Sequence, residues 1–195
     1  ARMKGGSMSE QEGQAKLGEI RGQLKSMAYW QAIRGPGIAG HQVRTLAGVE
    51  AAARHALAGD KVLVLVNFVE HGHVVVEGLA ALGVDSRLAN SKMGKRKRQE
   101  ALQAIRDGTL GCLVATSLAD EGLDLPALNV LVLISGGRSK IKAEQRTGRA
   151  LRSFAGKTHA TIYDFHDTCH RLMEKHSKAR QALYRELGYK IEGEL

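Results

Sequence analysis

Three arginines fall close together in Gln145–Arg152, QRTGRALR, at positions 146, 149 and 152. On a helix, residues three apart lie on neighbouring faces, close enough for like charges to repel. The pattern fits either a solvated basic helix or a set of fixed donors facing an anion. Gly148 weakens a helix by about 1 kcal/mol relative to alanine, which argues for a close approach to the backbone there. Fixed, planar guanidinium groups suit an anion that comes that close.

Other stretches carry weaker signals of the same kind. Lys92–Arg98, KMGKRKR, places five positive charges where a helix begins. Each cation there opposes the helix dipole by about 0.3 to 1 kcal/mol unless an anion offsets it. The run is either a phosphate contact or a solvated charged face. Thr116–Pro126, TSLADEGLDLP, and Val66–Gly72, VNFVEHG, both follow apolar runs, and His71 in the latter caps a helix or touches a ligand. Gly136–Lys140, GGRSK, is not a phosphate loop, and the sequence contains neither G-x-x-x-x-G-K-[ST] nor D-E-x-H. Asp164, His166, Asp167, Cys169, His170 and His176 cluster in sequence without the H-E-x-x-H spacing. Such residues at a helix start cap or pair more often than they bind metal, and no metal site is assigned.

Gln145–Arg152 matches Q-x-x-G-R-x-x-R at every specified position and in this resembles motif VI of superfamily 2 helicases. Thr116–Pro126 resembles motif V and Val66–Gly72 resembles motif IV. The likeness covers about residues 29–190 and is strongest to phage-type, UvsW-like repair helicases. It is carried by YWQAIRGPG, VLVLVNFVEHG, LISGGRSKIKAEQRTGRALR and HSKARQALYRELGY. The resemblance implies the second, C-terminal RecA-like motor domain of an ATP-dependent nucleic-acid helicase. Arg149 and Arg152 would then be the catalytic arginine fingers. Gln145, Gly122 and Asp124 would contact nucleotide, with Asp124 accepting from the ribose. Asn67, Lys92, Lys95, Arg96, Thr116 and Ser117 would contact nucleic acid. Asn90-Ser91-Lys92 departs from the glycine turn many relatives carry. ATP with Mg²⁺ is the implied cofactor, with the metal ligands on a first RecA-like domain of the same full-length protein, so little activity is expected of this chain alone. The alternative is a RecA-like binding or regulatory module without ATP turnover.

The elements that must hold these residues alternate in type. Short apolar runs and helical patterns follow one another from about residue 43, the signature of an α/β fold with a mainly parallel sheet. With the resemblance, this is a RecA-like (P-loop NTPase-type) three-layer αβα sandwich. Strands are expected at Lys61–Phe68, Ser86–Ala89, Gly111–Thr116, Asn129–Ile134 and Thr158–Phe165. Helices are expected at Val43–Leu57, His71–Leu82, Lys95–Arg106, Ile141–Leu151 and Thr168–Leu187, with a short one before Pro126. The last helix would place Leu172, His176, Ala179, Leu183 and Leu187 on one side. In parallel sheets ligands sit beyond the carboxyl ends of the strands, and the motifs fall there. Residues 1–13 read as an added, disordered leader, 14–42 as a helical linker and 43–195 as the domain.

Composition bounds the rest. With 195 residues there is room for one full core, and 29 Lys and Arg against 20 Asp and Glu favour a polyanionic partner, DNA by the resemblance. Aromatics at 4% point to phosphate contacts over base stacking. Two distant cysteines imply neither a disulfide framework nor a zinc ribbon. No apolar run approaches the roughly 20 residues that span a bilayer, so no membrane partner is expected, and the location is expected to be intracellular and cytoplasmic.

Overall fold

The structure is a computed structural model, and it describes residues 35–90, 92–116, 128–136 and 160–193. Residues from Gly37 onward belong to one compact unit. The first described element is a π-helical turn, Gly35–Ala39, within what was expected to be a helical linker. Ile38 in that turn is completely buried.

Helix α1, Gln42–Leu57, starts one residue before its expected position because His41 caps it, Nδ1 accepting from the Arg44 amide at 3.2 Å. Its inner face is mostly small, with Gly48, Ala52 and Ala53 buried beside Val49, so the helix can lie low on the sheet. A Cβ at Gly48 would stand 2.5 Å from Ile134 Cδ1.

Strand β1, Val62–Leu65, is followed by α2, Val69–Ala81, then β2, Ser86–Ala89, and α3, Lys95–Asp107. Gly108 ends α3 in the left-handed region at φ +74°, where L side chains are strained. Strands β3, Cys112–Ala115, β4, Val130–Leu133, and β5, Thr161–Tyr163, complete the sheet. Helix α4, Arg171–Glu186, follows.

All four pairings are parallel and the order is β2-β3-β1-β4-β5. Helices pack on both faces. Leu63, Leu65, Leu113, Leu131 and Leu133 face α3 through Ala101 and Ile105. The alternate residues Val62, Val64, Val114, Val130 and Val132 face α1 and α2 through Val49, Ala52, Val75 and Leu79. The layered, parallel α/β fold expected of the sequence is the one that forms. Continuous apolar strands follow from burial on both faces.

The strands are shorter than the apolar runs that encode them. The run from Lys61 to Phe68 pairs only over Val62–Leu65, because β3 and β4 end at Ala115 and Leu133 opposite Leu65. Val66 is still held by the Ala115 carbonyl at 2.9 Å, and Phe68 then turns into α2 two residues before the expected start at His71.

Helix α4 buries a face rotated from the expected one. Met173, His176, Ser177, Arg180, Leu183 and Tyr184 are inside, whereas Leu187 is exposed. A polar residue enters a core when its partners enter with it, and the carboxylates after β5 bring Ser177 and Arg180 inward.

Candidate nucleotide and nucleic-acid interface

Because the sheet is wholly parallel, the carboxyl ends of its five strands share one edge. Asn67, Asn90, Thr116, Ser135 and Asp164 each lie just past a strand at that edge. At one end of it, Asn90 closes the turn that follows β2. Its side-chain oxygen accepts from the Lys92 amide at 2.9 Å and its carbonyl from the Met93 amide at 3.1 Å. Asparagine side chains commonly accept from a main-chain amide two residues on in this way.

That turn delivers the start of α3. Gly94 caps the helix in an extended conformation and offers no side-chain acceptor, and the first turn holds no acidic residue. The free amides, the dipole and exposed Lys92, Lys95 and Arg96 therefore all favour an anion. Arg96 pairs with Glu100 at 2.9 Å, both well exposed, a pairing worth only about 0.3 to 0.5 kcal/mol and readily exchanged for a phosphate.

Thr116 is 6% exposed and its amide donates to the Ala89 carbonyl at 3.1 Å, tying the end of β3 to β2. Asn67 donates from Nδ2 to the Ser135 carbonyl. The structure thus brings Asn67, Thr116 and the Lys92–Arg96 helix start to one edge. Ser117, Gly122, Asp124, Gln145, Arg149 and Arg152, with the expected helices before Pro126 and at Ile141–Leu151, lie outside the described residues.

At the other end of the edge is a buried ionic network that spacing did not reveal. Asp164 receives Arg180 Nε at 2.7 Å and Nη2 at 3.0 Å, and the Tyr184 hydroxyl donates to it at 2.9 Å. Asp167 pairs with Arg44 and accepts from the Ser177 hydroxyl at 3.1 Å. Burial pulls the Arg44 pKa down while the charges of Asp167 and Asp164 push it back up. Burial and the Asp164 charge raise the Tyr184 phenol well above its usual range. Of the histidines nearby, His170 caps α4 by accepting from the Leu172 amide at 3.1 Å, and His166 meets Gln181 at 3.2 Å. The carboxylates considered as metal ligands are committed to arginines. Arg44 could have been suspected from its place on the small-residue face of α1, beside Gly48 and Ala52.

The comparisons agree on one family. The model of the helicase conserved C-terminal domain matches residues 44–154. The protein designated helicase 22 of Sulfolobus islandicus filamentous virus (isolate Iceland/Hveragerdi) is 36% identical over 102 residues, 52% of this chain and 18% of that protein. The pre-mRNA-splicing ATP-dependent RNA helicase PRP28 of Cryptococcus neoformans var. neoformans (strain JEC21) is 34% identical over 101 residues, 52% of this chain and 13% of its own length. Among solved structures, T4 UvsW superposes with a TM-score of 0.65 at 22% identity, covering 86% of this chain and 37% of that one. The chain spans less than a fifth of either relative's length. No described helix is long and apolar enough to cross a membrane.

Proposed function

The chain belongs to the helicase conserved C-terminal domain family, and from that premise we propose that it is the arginine-bearing half of a two-domain ATP-driven motor on nucleic acid. The observation that carries this reading is the complete Q-x-x-G-R-x-x-R pattern at Gln145–Arg152, with no phosphate loop in the same sequence. Arg149 and Arg152 reach the γ-phosphate held by a first RecA-like domain, while Gln145, Gly122 and Asp124 contact the nucleotide. ATP with Mg²⁺ is held mainly on that first domain. In the transition state charge develops on the phosphoryl oxygens, and preplaced guanidinium groups stabilise it there more than in the ground state. ATP binding draws the domains together and hydrolysis releases them.

The backbone is gripped at the α3 start by Lys92, Lys95 and Arg96, and beyond β3 by Thr116 and Ser117. Among the described residues Asn67 Oδ1 has no hydrogen-bond partner, and it serves as a further polar contact. DNA is the nucleic acid expected, on the sequence likeness to repair helicases. The test substitutes Arg149→Lys and Arg152→Lys singly in the full-length protein. Each should lower stimulated ATP turnover by about 10³ or more while a non-hydrolysable analogue still binds. Unimpaired turnover in both would overturn the assignment. Parallel titrations with DNA and RNA strands of one sequence decide the substrate, and equal affinity would contradict the choice of DNA.

A further inference from the structure

The chain leaves β4 through Ile134, Ser135 and Gly136, and side chains from two other elements grip that exit. Arg44, in the first turn of α1, donates from Nε to the Ile134 carbonyl at 2.8 Å and reaches the Leu133 carbonyl at 3.5 Å. Asn67, past β1, holds the next carbonyl, that of Ser135. Arg44 is itself immobilised by its pairing with Asp167 and by Phe165, whose ring centre lies 4.7 Å from the guanidinium carbon. Gly136, at φ +56°, runs beneath it, where a Cβ would stand 3.3 Å from Arg44 Nη2 and 2.9 Å from Ile38 Cδ1.

A buried guanidinium committed to main-chain carbonyls and one carboxylate has no fork left for a ligand, so its work is to fix a conformation. The conformation it fixes is the last one before the connection that contains Gln145–Arg152. Finger placement matters steeply, since about 1 Å of displacement at a reacting group can lower a rate by roughly 10²-fold.

We propose that Arg44 and Asn67 are positioning residues for ATP hydrolysis, holding the β4 exit at Ile134 and Ser135 so that the chain carrying Arg149 and Arg152 departs from the sheet in a fixed place. This rests on the two-domain reading above. Asn67→Ala removes one grip. Arg44→Lys keeps a charge for Asp167 but drops the fork that reads Ile134 and Leu133. In the full-length protein both variants should lower kcat for stimulated ATP turnover by about 10- to 10²-fold, with KM for ATP unchanged in both and nucleic-acid affinity unchanged in Arg44→Lys. In the 195-residue chain, hydrogen exchange should accelerate at 134–136 and beyond, while β1 and β3 keep their protection. A general loss of stability would not give that local pattern, and a purely structural grip would give it with kcat unchanged. Unchanged kcat in both variants would overturn the proposal. So would undiminished kcat for Asn67→Ala with only nucleic-acid binding weakened, which makes Asn67 a ligand contact alone, or protection lost evenly across the sheet. An unsubstituted protein that turns over no ATP would bring down the two-domain reading, whereas the exchange pattern tests the grip on its own.

Discussion

His71 sits in the first turn of α2 with Nε2 at 2.9 Å from Thr45 Oγ1 and, among the described residues, no hydrogen-bond partner for Nδ1. Burial holds its pKa below the ordinary value and the nearby Arg44 charge pushes it further down. A base whose folded pKa is depressed stays neutral in the native state, so its contribution to stability is full above the unfolded pKa, about 6.5. Stability is then lost as pH falls below that value and through the folded pKa. Urea midpoints between pH 8 and 5 should fall more steeply in the parent chain than in His71→Gln, and identical profiles would refute it. Asp164→Ala removes the carboxylate that receives two guanidinium nitrogens of buried Arg180 and leaves it only the longer 3.8 Å pairing with Asp167, which should cost about 3 to 5 kcal/mol in urea denaturation. Residues of this kind are hard to read from sequence. Asp164 and Asp167 stood out as chemistry, but their partners Arg180 and Arg44 are distant in the chain and look like ordinary helix-surface charges. The arginines of Gln145–Arg152 were legible because three of them share one short stretch around a glycine.

Elements were more legible than side-chain pairings. The apolar runs at β1, β3 and β4 announce the strands, though not where their pairing stops, because burial on both faces leaves little choice of residue, and the breakers Gly59-Asp60 and Asp107-Gly108 announce the ends of α1 and α3. The burial of α4 was not legible, since its inner face contains Ser177 and Arg180, which only the β5 exit explains. The start of α3 tests the reading at this scale. Gly94 has an extended backbone and nothing within 4 Å of a Cβ, so Gly94→Asp should cap the helix and complement its dipole. It should stabilise the fold by about 0.3 to 1 kcal/mol while weakening nucleic-acid binding, because the new carboxylate occupies the place proposed for a phosphate. Thermal melts and binding titrations should therefore move in opposite directions. Removing Lys95 and Arg96 together should reduce the slope of log affinity against log salt by about 1 for each phosphate that is no longer neutralised. An unchanged slope would make the run a solvated face.

For the whole molecule, a formal charge of +9 supplies long-range attraction to a polyanion, but charge alone makes a binder and not a motor. What makes a motor is a second nucleotide-contacting surface, and in the proposed function this chain supplies the arginine side of one. The most direct test is nucleic-acid-stimulated ATP turnover by the 195-residue chain alone and by the same chain joined to the first RecA-like domain proposed above. Near-background turnover by the chain alone, and strong turnover by the joined protein that is abolished by Arg149→Ala, is the result predicted. Robust turnover by the isolated chain, or activity of the joined protein indifferent to Arg149, would contradict it.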